Sequence, residues 1–159
     1  MKNIIVACGR KRVIGKNGRL PWNIKEDWKH FLDLTRHGTL VMGRHCFAEM
    51  GTYSRDRRVI VLSRNPEMNF SGARKASSLL QALDMAKDEV VWICGGEEVY
   101  EEALLLADRL YLTLIDGDFK GDVFFPPWEK IYTEEISRRE SEDSGYRLTF
   151  LTLGRRTDG

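Results

Sequence analysis

The sequence predicts an α/β domain: a mixed, mostly parallel central sheet flanked by helices, with an antiparallel hairpin at its C-terminal end. Three observations predict it. Short apolar runs alternate with stretches of helical periodicity through most of the chain. The last third changes to strand patterns around a turn. No repeat, low-complexity tract or linker divides the 159 residues, which suit one domain.

The elements follow in order. Ile4–Ala7 is a short apolar run of the kind found in strands buried on both faces. Asn23 reads as a helix N-cap, and Glu26 three residues later completes a capping box. The helix they open runs over Ile24–Thr35, with Ile24, Trp28, Phe31 and Leu32 recurring at spacings of three and four. Strands at Leu40–Met42, Val59–Leu62 and Val90–Cys94 alternate with helices at Arg44–Met50, Ser78–Lys87 and Glu98–Ala107. Arg109–Ile115 and Tyr132–Glu140 read as strands, Ser141–Gly145 as a turn and Tyr146–Leu153 as a further strand. Pro126-Pro127 excludes a regular element between them, and the final Gly-Arg-Arg-Thr-Asp-Gly is expected to fray.

Composition excludes several classes of function. There are 25 basic and 24 acidic residues, a net charge of +1, which argues against a general nucleic-acid or membrane-surface binder. The apolar run near the N-terminus is too short for a signal peptide or a membrane span. Cys8, Cys46 and Cys94 form no CxxC pair and cannot all be bridged, so a reduced, cytoplasmic protein is expected. GxGxxG, GxxxxGK[ST], GxSxG and HExxH are absent. His30, His37 and His45 have no metal-like spacing, so no metal site is expected. Trp22, Trp28, Trp92 and Trp128 read as packing residues rather than stacking platforms for nucleic acid.

Two features carry chemistry. Asp27 lies between Ile24 and Phe31 on the apolar stripe of its helix. An ionised group there must be partnered or hold a ligand; an Asp at the edge of a solvated face fits the same spacing. The second feature is three strand exits: Val41-Met42 into Gly43-Arg44-His45, Val61-Leu62 into Ser63-Arg64, and Ile93-Cys94 into Gly95-Gly96-Glu97-Glu98. Ligands of open α/β sheets bind at such ends, where glycines admit phosphate and arginines grip it. Tight turns are the other use of these glycines. Together the exits imply a phosphate-rich, extended ligand such as a dinucleotide.

Nearly the whole chain resembles the dihydrofolate reductase family. The resemblance rests on Val13-Ile14-Gly15, Leu20-Pro21-Trp22, Asp27 with Phe31, Val41-Met42-Gly43-Arg44 and Val61-Leu62-Ser63-Arg64. It continues through Gly95-Gly96 with Val99-Tyr100, Leu110-Tyr111-Leu112-Thr113, Gly121-Asp122 and Phe125-Pro126. It implies NADPH-dependent reduction of 7,8-dihydrofolate to tetrahydrofolate, by hydride transfer to C6 and protonation at N5, in one-carbon metabolism. Asp27 would bind the amino-pyrimidine edge and promote protonation, with Thr113 bridging to it, Trp22 holding a water and Leu20 beside them. Ile5, Trp28, Phe31, Met50 and Cys94 would line the substrate channel, and Arg57 would grip the α-carboxylate of the glutamate tail.

On the cofactor side, Ala7, Ile14 and Gly15 would face the carboxamide, and Tyr100 would edge the nicotinamide. Arg44, Ser63 and Arg64 would meet the 2′-phosphate. Gly95, Gly96 and Glu97 would offer N–H groups to the pyrophosphate, with Gly43, His45, Cys46, Leu62, Glu98 and Val99 around them. The family often has a cis peptide at this Gly-Gly step. Gly15–Leu20 resembles the family's mobile loop, with Gly15 and Gly18 giving flexibility and Asp122 securing it. Antifolates such as methotrexate and trimethoprim, and a monomeric state, are expected on the same ground.

Some positions depart from the pattern. Cys46 stands for a threonine, Glu97 for a small residue, Ala76 for a basic one and Trp28 for a slimmer side chain, and Thr52-Tyr53-Ser54-Arg55 replaces a Pro- and Leu-containing loop. The Glu97 carboxylate must point away from the phosphates or weaken them. A related-fold NADPH-dependent pyrimidine reductase of riboflavin synthesis is an alternative, but Leu20-Pro21-Trp22 and the helical Asp27 favour the folate reading. A non-catalytic NADP-binding module is another, which nucleotide binding without turnover would support.

Overall fold

A computed structural model describes residues 1–16, 20–51 and 56–155. The strands are β1 (Lys2–Cys8), β2 (Val13–Gly15), β3 (Thr39–Gly43), β4 (Arg58–Leu62), β5 (Arg74–Ala76), β6 (Val91–Ile93), β7 (Arg109–Ile115), β8 (Val123–Phe124), β9 (Glu134–Asp143) and β10 (Tyr146–Gly154). The helices are α1 (Lys25–Leu34), α2 (Arg44–Met50), α3 (Leu79–Met85) and α4 (Glu97–Ala103). Eight strands form one sheet in the order β5-β4-β3-β6-β1-β7-β10-β9. The pairs from β5 to β7 are parallel, and β10 joins β7 and β9 antiparallel. The expected mixed sheet with its C-terminal hairpin is therefore present.

The apolar runs are strands because both faces are covered. Ile4, Val6, Val41 and Ile60 pack on one face with Leu79, Leu83, Tyr100 and Ala103 of α3 and α4. Ile5, Leu40, Met42, Val61 and Trp92 pack on the other with Met50 of α2 and Phe31 of α1. Alternate residues of each strand thus enter opposite cores, which gives a continuous apolar run rather than alternation.

Three strands were not foreseen. β2 and β8 form a separate two-stranded ribbon, and β5 is a short polar edge, Arg74-Lys75-Ala76. Each has only two or three residues, too few to show a periodicity. The predicted helix over Glu98–Ala107 stops at Ala103, and the predicted strand at Tyr132 begins at Glu134, because the Tyr132 N–H closes a turn onto the Trp128 carbonyl at 3.0 Å. The fraying of residues 156–159 lies outside the described residues.

The start of α1 corrects a second expectation. Its N-cap is Ile24, with no side-chain cap, and Asn23 is exposed. The cap comes from the hairpin instead: the Glu26 N–H donates to Asp143 Oδ2 at 3.0 Å. Glu26 does not reach back to close a capping box. Its carboxylate accepts from Arg139 at 3.1 Å and from the Ser141 hydroxyl at 2.7 Å. A carboxylate is a stronger acceptor than an amide for helix N–H groups, and β9 brings Asp143 to that end of the helix.

Candidate active site

The carboxyl ends of β1, β3, β4 and β6 open into a cleft of about 1350 Å³, the place where ligands of open α/β sheets bind. In one half α1 presents Asp27, Trp28, His30 and Phe31, facing Ile5 of β1, Met50 of α2 and Thr113 of β7. Asp27 is half-buried. Burial pushes its carboxyl up to about 6 from 3.8, and the hydrogen bond that Trp22 Nε1 donates to Asp27 Oδ2, 3.3 Å long, opposes only part of that rise. Burial acts in the opposite sense on His30, one turn along. Its imidazole falls from 6.5 to about 4, helped by the nearby Arg139 guanidinium and opposed by Asp33 and Glu26. This half of the cleft therefore favours the neutral form of each group.

The other half is built from main chain. The Gly43 N–H donates to the Gly95 carbonyl at 2.8 Å, joining the exits of β3 and β6. The Gly95-Gly96 peptide is cis and Gly95 has φ of 117°, a region glycine enters without a steric penalty. The Tyr100 hydroxyl lies 2.9 Å from the Ile5 carbonyl and 2.8 Å from the Cys94 carbonyl. Cys46 donates its thiol to the same Cys94 carbonyl at 3.4 Å, so burial, which pushes this thiol up to about 12, keeps it a donor. Exposed Arg44 and Arg64 line the cleft with His45 and Ser63.

These residues fit a dinucleotide. A Cβ on Gly96 would meet nothing within 4 Å, so bare main chain faces open space where phosphate would lie. The Glu97 carboxylate accepts from the Phe124 N–H at 3.0 Å, which directs it towards β8, as its neighbours require.

Of the expected site residues, Ile5, Ala7, Ile14, Gly15, Leu20, Asp27, Trp28, Phe31, Met50, Cys94 and Thr113 line this cleft, as do Gly43 to Cys46, Leu62 to Arg64 and Gly95 to Tyr100. Two do not. Trp22 stands behind Asp27, buried against Ile24, Ile115 and Phe150. Arg57 donates through Nη1 to the Thr35 carbonyl at 2.5 Å and through Nη2 to the Leu32 carbonyl at 3.1 Å, holding the C-terminal end of α1. The expected bridge from Thr113 to Asp27 is not made among the described residues; Trp22 is the side-chain donor.

Sequence reasoning missed Asn65, Met68, Ser77 and Ser78, which line the cleft beyond β4 and β5. Ser78 was read only as the start of a helix, and it does cap α3, accepting from the Gln81 N–H at 3.1 Å. It also missed Glu49, whose Oε1 accepts from the Leu20 N–H at 2.9 Å. Within the expected loop Gly15–Leu20, residues 17–19 lie outside the described residues, as does the departure at residues 52–55. At the start of that stretch the Asp122 N–H donates to the Gly15 carbonyl at 3.0 Å.

Comparison with known proteins agrees with this geometry. The dihydrofolate reductase family model matches residues 1–155. A type 3 dihydrofolate reductase from Salmonella typhimurium is 38% identical, over 96% of this chain and 97% of its own length. The dihydrofolate reductase of Staphylococcus aureus is 35% identical, over 97% and 98% respectively. The solved Enterococcus faecalis enzyme, complexed with NADP(H) and RAB-propyl, superposes with a TM-score of 0.90 at 34% identity, covering 99% of this chain and 97% of that one. A sheet with this cleft at its carboxyl ends, an acid in one half and bare main chain in the other, and relatives matched from end to end place this chain in the dihydrofolate reductase family.

Proposed function

We propose that this chain reduces 7,8-dihydrofolate to 5,6,7,8-tetrahydrofolate with NADPH, and that Asp27 is the acid of the reaction. The observation that carries the reading is a carboxyl raised to about 6 in an apolar half-cleft, continuous with strand ends suited to phosphate. A group tuned near the working pH suits general acid–base work. NADPH, when bound, supplies the hydride.

Asp27 binds the amino-pyrimidine edge and favours a cationic pterin as charge develops at N5. Trp22 orients Asp27 through its N–H, and Leu20 and Thr113 bound the same space. Ile5, Trp28, Phe31, Met50 and Cys94 exclude water around the ring. Arg57 has five N–H donors, and two already hold α1; the remainder serve the substrate's α-carboxylate. Arg44, Ser63 and Arg64 take the 2′-phosphate, and the N–H groups at Gly95, Gly96 and Glu97 take the pyrophosphate. Antifolates compete for the Asp27 half.

A monomer fits the free sheet edge at β9, which is exposed and crowded with charge, a pattern that resists edge pairing. Free thiols at Cys8, Cys46 and Cys94 support a reducing, cytoplasmic setting. The test is loss of NADPH absorbance on adding 7,8-dihydrofolate. Turnover supports the reading; tight nucleotide binding with no turnover across pH and salt refutes it.

A further inference from the structure

The residue that departs most from what a phosphate site asks for is Glu97, and its surroundings give it a task. β8 has two residues, and its pairing with β2 is interrupted by a register shift between Val13 and Gly15. So short a ribbon is marginal without outside support. The amides along it divide their partners. The Asp122 N–H donates to the Gly15 carbonyl at 3.0 Å and the Phe125 N–H to the Arg12 carbonyl at 2.7 Å. The Phe124 N–H donates instead to Glu97 Oε2, at 3.0 Å. The Phe124 side chain is 41% exposed and gives the ribbon little burial.

α4 grips the segment a second time one turn later. Tyr100 meets the Phe125 ring edge-on, with centroids 5.1 Å apart. One face of α4 thus holds β8, while the turn that opens α4 faces the cleft. Gly121 leaves no slack on the other side of the ribbon, since a Cβ there would stand 2.5 Å from the Gly15 carbonyl oxygen. Ile14, Gly15 and Val123 of the ribbon and Gly96 and Glu97 of the turn line the same cleft.

We propose that Glu97 is a positioning residue for the dinucleotide: through the Phe124 amide it holds the β2–β8 ribbon in place against the Gly95-Gly96 turn, so that cofactor fit depends on this link. The inference rests on the assignment of the cleft to NADPH. The same carboxylate is a negative charge on a residue that lines the phosphate half of the cleft, and it repels phosphate as far as screening allows. Glu97 therefore acts in two opposed ways, weakening phosphate binding by charge and improving fit by position.

Two variants separate these effects. Glu97→Gln keeps an oxygen acceptor and removes the charge; Glu97→Ala removes both. In Glu97→Gln the Phe124 amide should keep its protection from hydrogen exchange, and the Kd for NADPH should fall about threefold. In Glu97→Ala the Phe124 amide should lose protection, and the Kd and KM for NADPH should rise at least about threefold above those of Glu97→Gln. The KM for dihydrofolate should stay within about twofold, a split that general loss of structure would not give. Equal NADPH affinities in the two variants overturn the proposal, whatever the Phe124 amide does. Wild-type protein that binds no NADPH overturns the reading of the cleft and the proposal with it.

Discussion

The two halves of the cleft achieve selectivity by opposite means. In the Asp27 half, a few side chains are withdrawn from water, and burial is the largest cause that moves Asp27 up to about 6 and His30 down to about 4. In the Gly95-Gly96 half, the main chain supplies the surface, and the cations Arg44 and Arg64 are exposed. The contrast teaches which half answers to pH and which to backbone shape. Chemistry that depends on desolvation shifts with pH and with packing. Binding that depends on amides and solvated cations is governed by glycine geometry and by salt.

The largest predicted effect short of catalysis lies at Arg57, which holds the C-terminal end of the helix that carries Asp27. Arg57→Leu is expected to weaken methotrexate about 10- to 100-fold, since a charge-assisted bond is worth about 1.5–3 kcal/mol. Trimethoprim-like inhibitors lack the α-carboxylate and should change less than about threefold. Inhibition constants for both drug types measure this. Equal losses would mean that Arg57 acts only by holding the Leu32 and Thr35 carbonyls of α1.

A smaller effect is expected in the exposed half, where solvent screens each charge. Replacing both Arg44 and Arg64 with Gln should weaken NADPH about 10- to 30-fold and leave NADH within about threefold. The NADPH loss should shrink as salt is raised. Equal losses for both cofactors would move the two arginines away from the 2′-phosphate.

The smallest effect concerns stability, and only the buried half should show it. Folded Asp27 holds its proton up to about pH 6, against an ordinary value of 3.8. Its protonation therefore stabilises the fold; that contribution is complete below the ordinary value and is lost as pH rises through the folded one. Asp27→Asn should stabilise the ligand-free protein by about 1–2 kcal/mol at pH 8, allowing for the partly open site, and the gain should vanish near pH 3.5. His30 runs the other way. Its folded value is depressed, so its contribution is present above 6.5 and lost as pH falls through about 4. Denaturant melts of Asp27→Asn and His30→Gln across pH should separate with opposite slopes, whereas parallel curves would break the contrast.

The two halves were also unequally legible. Gly43-Arg44, Ser63-Arg64 and Gly95-Gly96 could be read directly, because main-chain phosphate sites need glycine and cations at strand ends, and the strands feeding them are plainly apolar. Asp27 was legible as a break in an apolar stripe. Its surroundings were not, because they come from distant segments: Asp143 caps the helix in place of Asn23, and Arg139 and Ser141 engage Glu26. The β2–β8 ribbon was invisible to periodicity because its strands have three residues and two. The departure at Glu97 was noticed as a charge near phosphate, but its partner, the Phe124 amide, is a main-chain group that carries no sequence signal.

In the proposed function, Asp27 supplies the acid of the cleft. The direct test is the single-turnover rate of hydride transfer from NADPH to dihydrofolate, followed against pH in wild type and in Asp27→Asn. Wild type should lose rate as pH rises through the Asp27 value of about 6. Asp27→Asn should be slower by about 10²- to 10⁴-fold at pH 7 and recover partly in acid, where the pterin arrives protonated. An Asp27→Asn enzyme with the wild-type rate at pH 7 would contradict the claim.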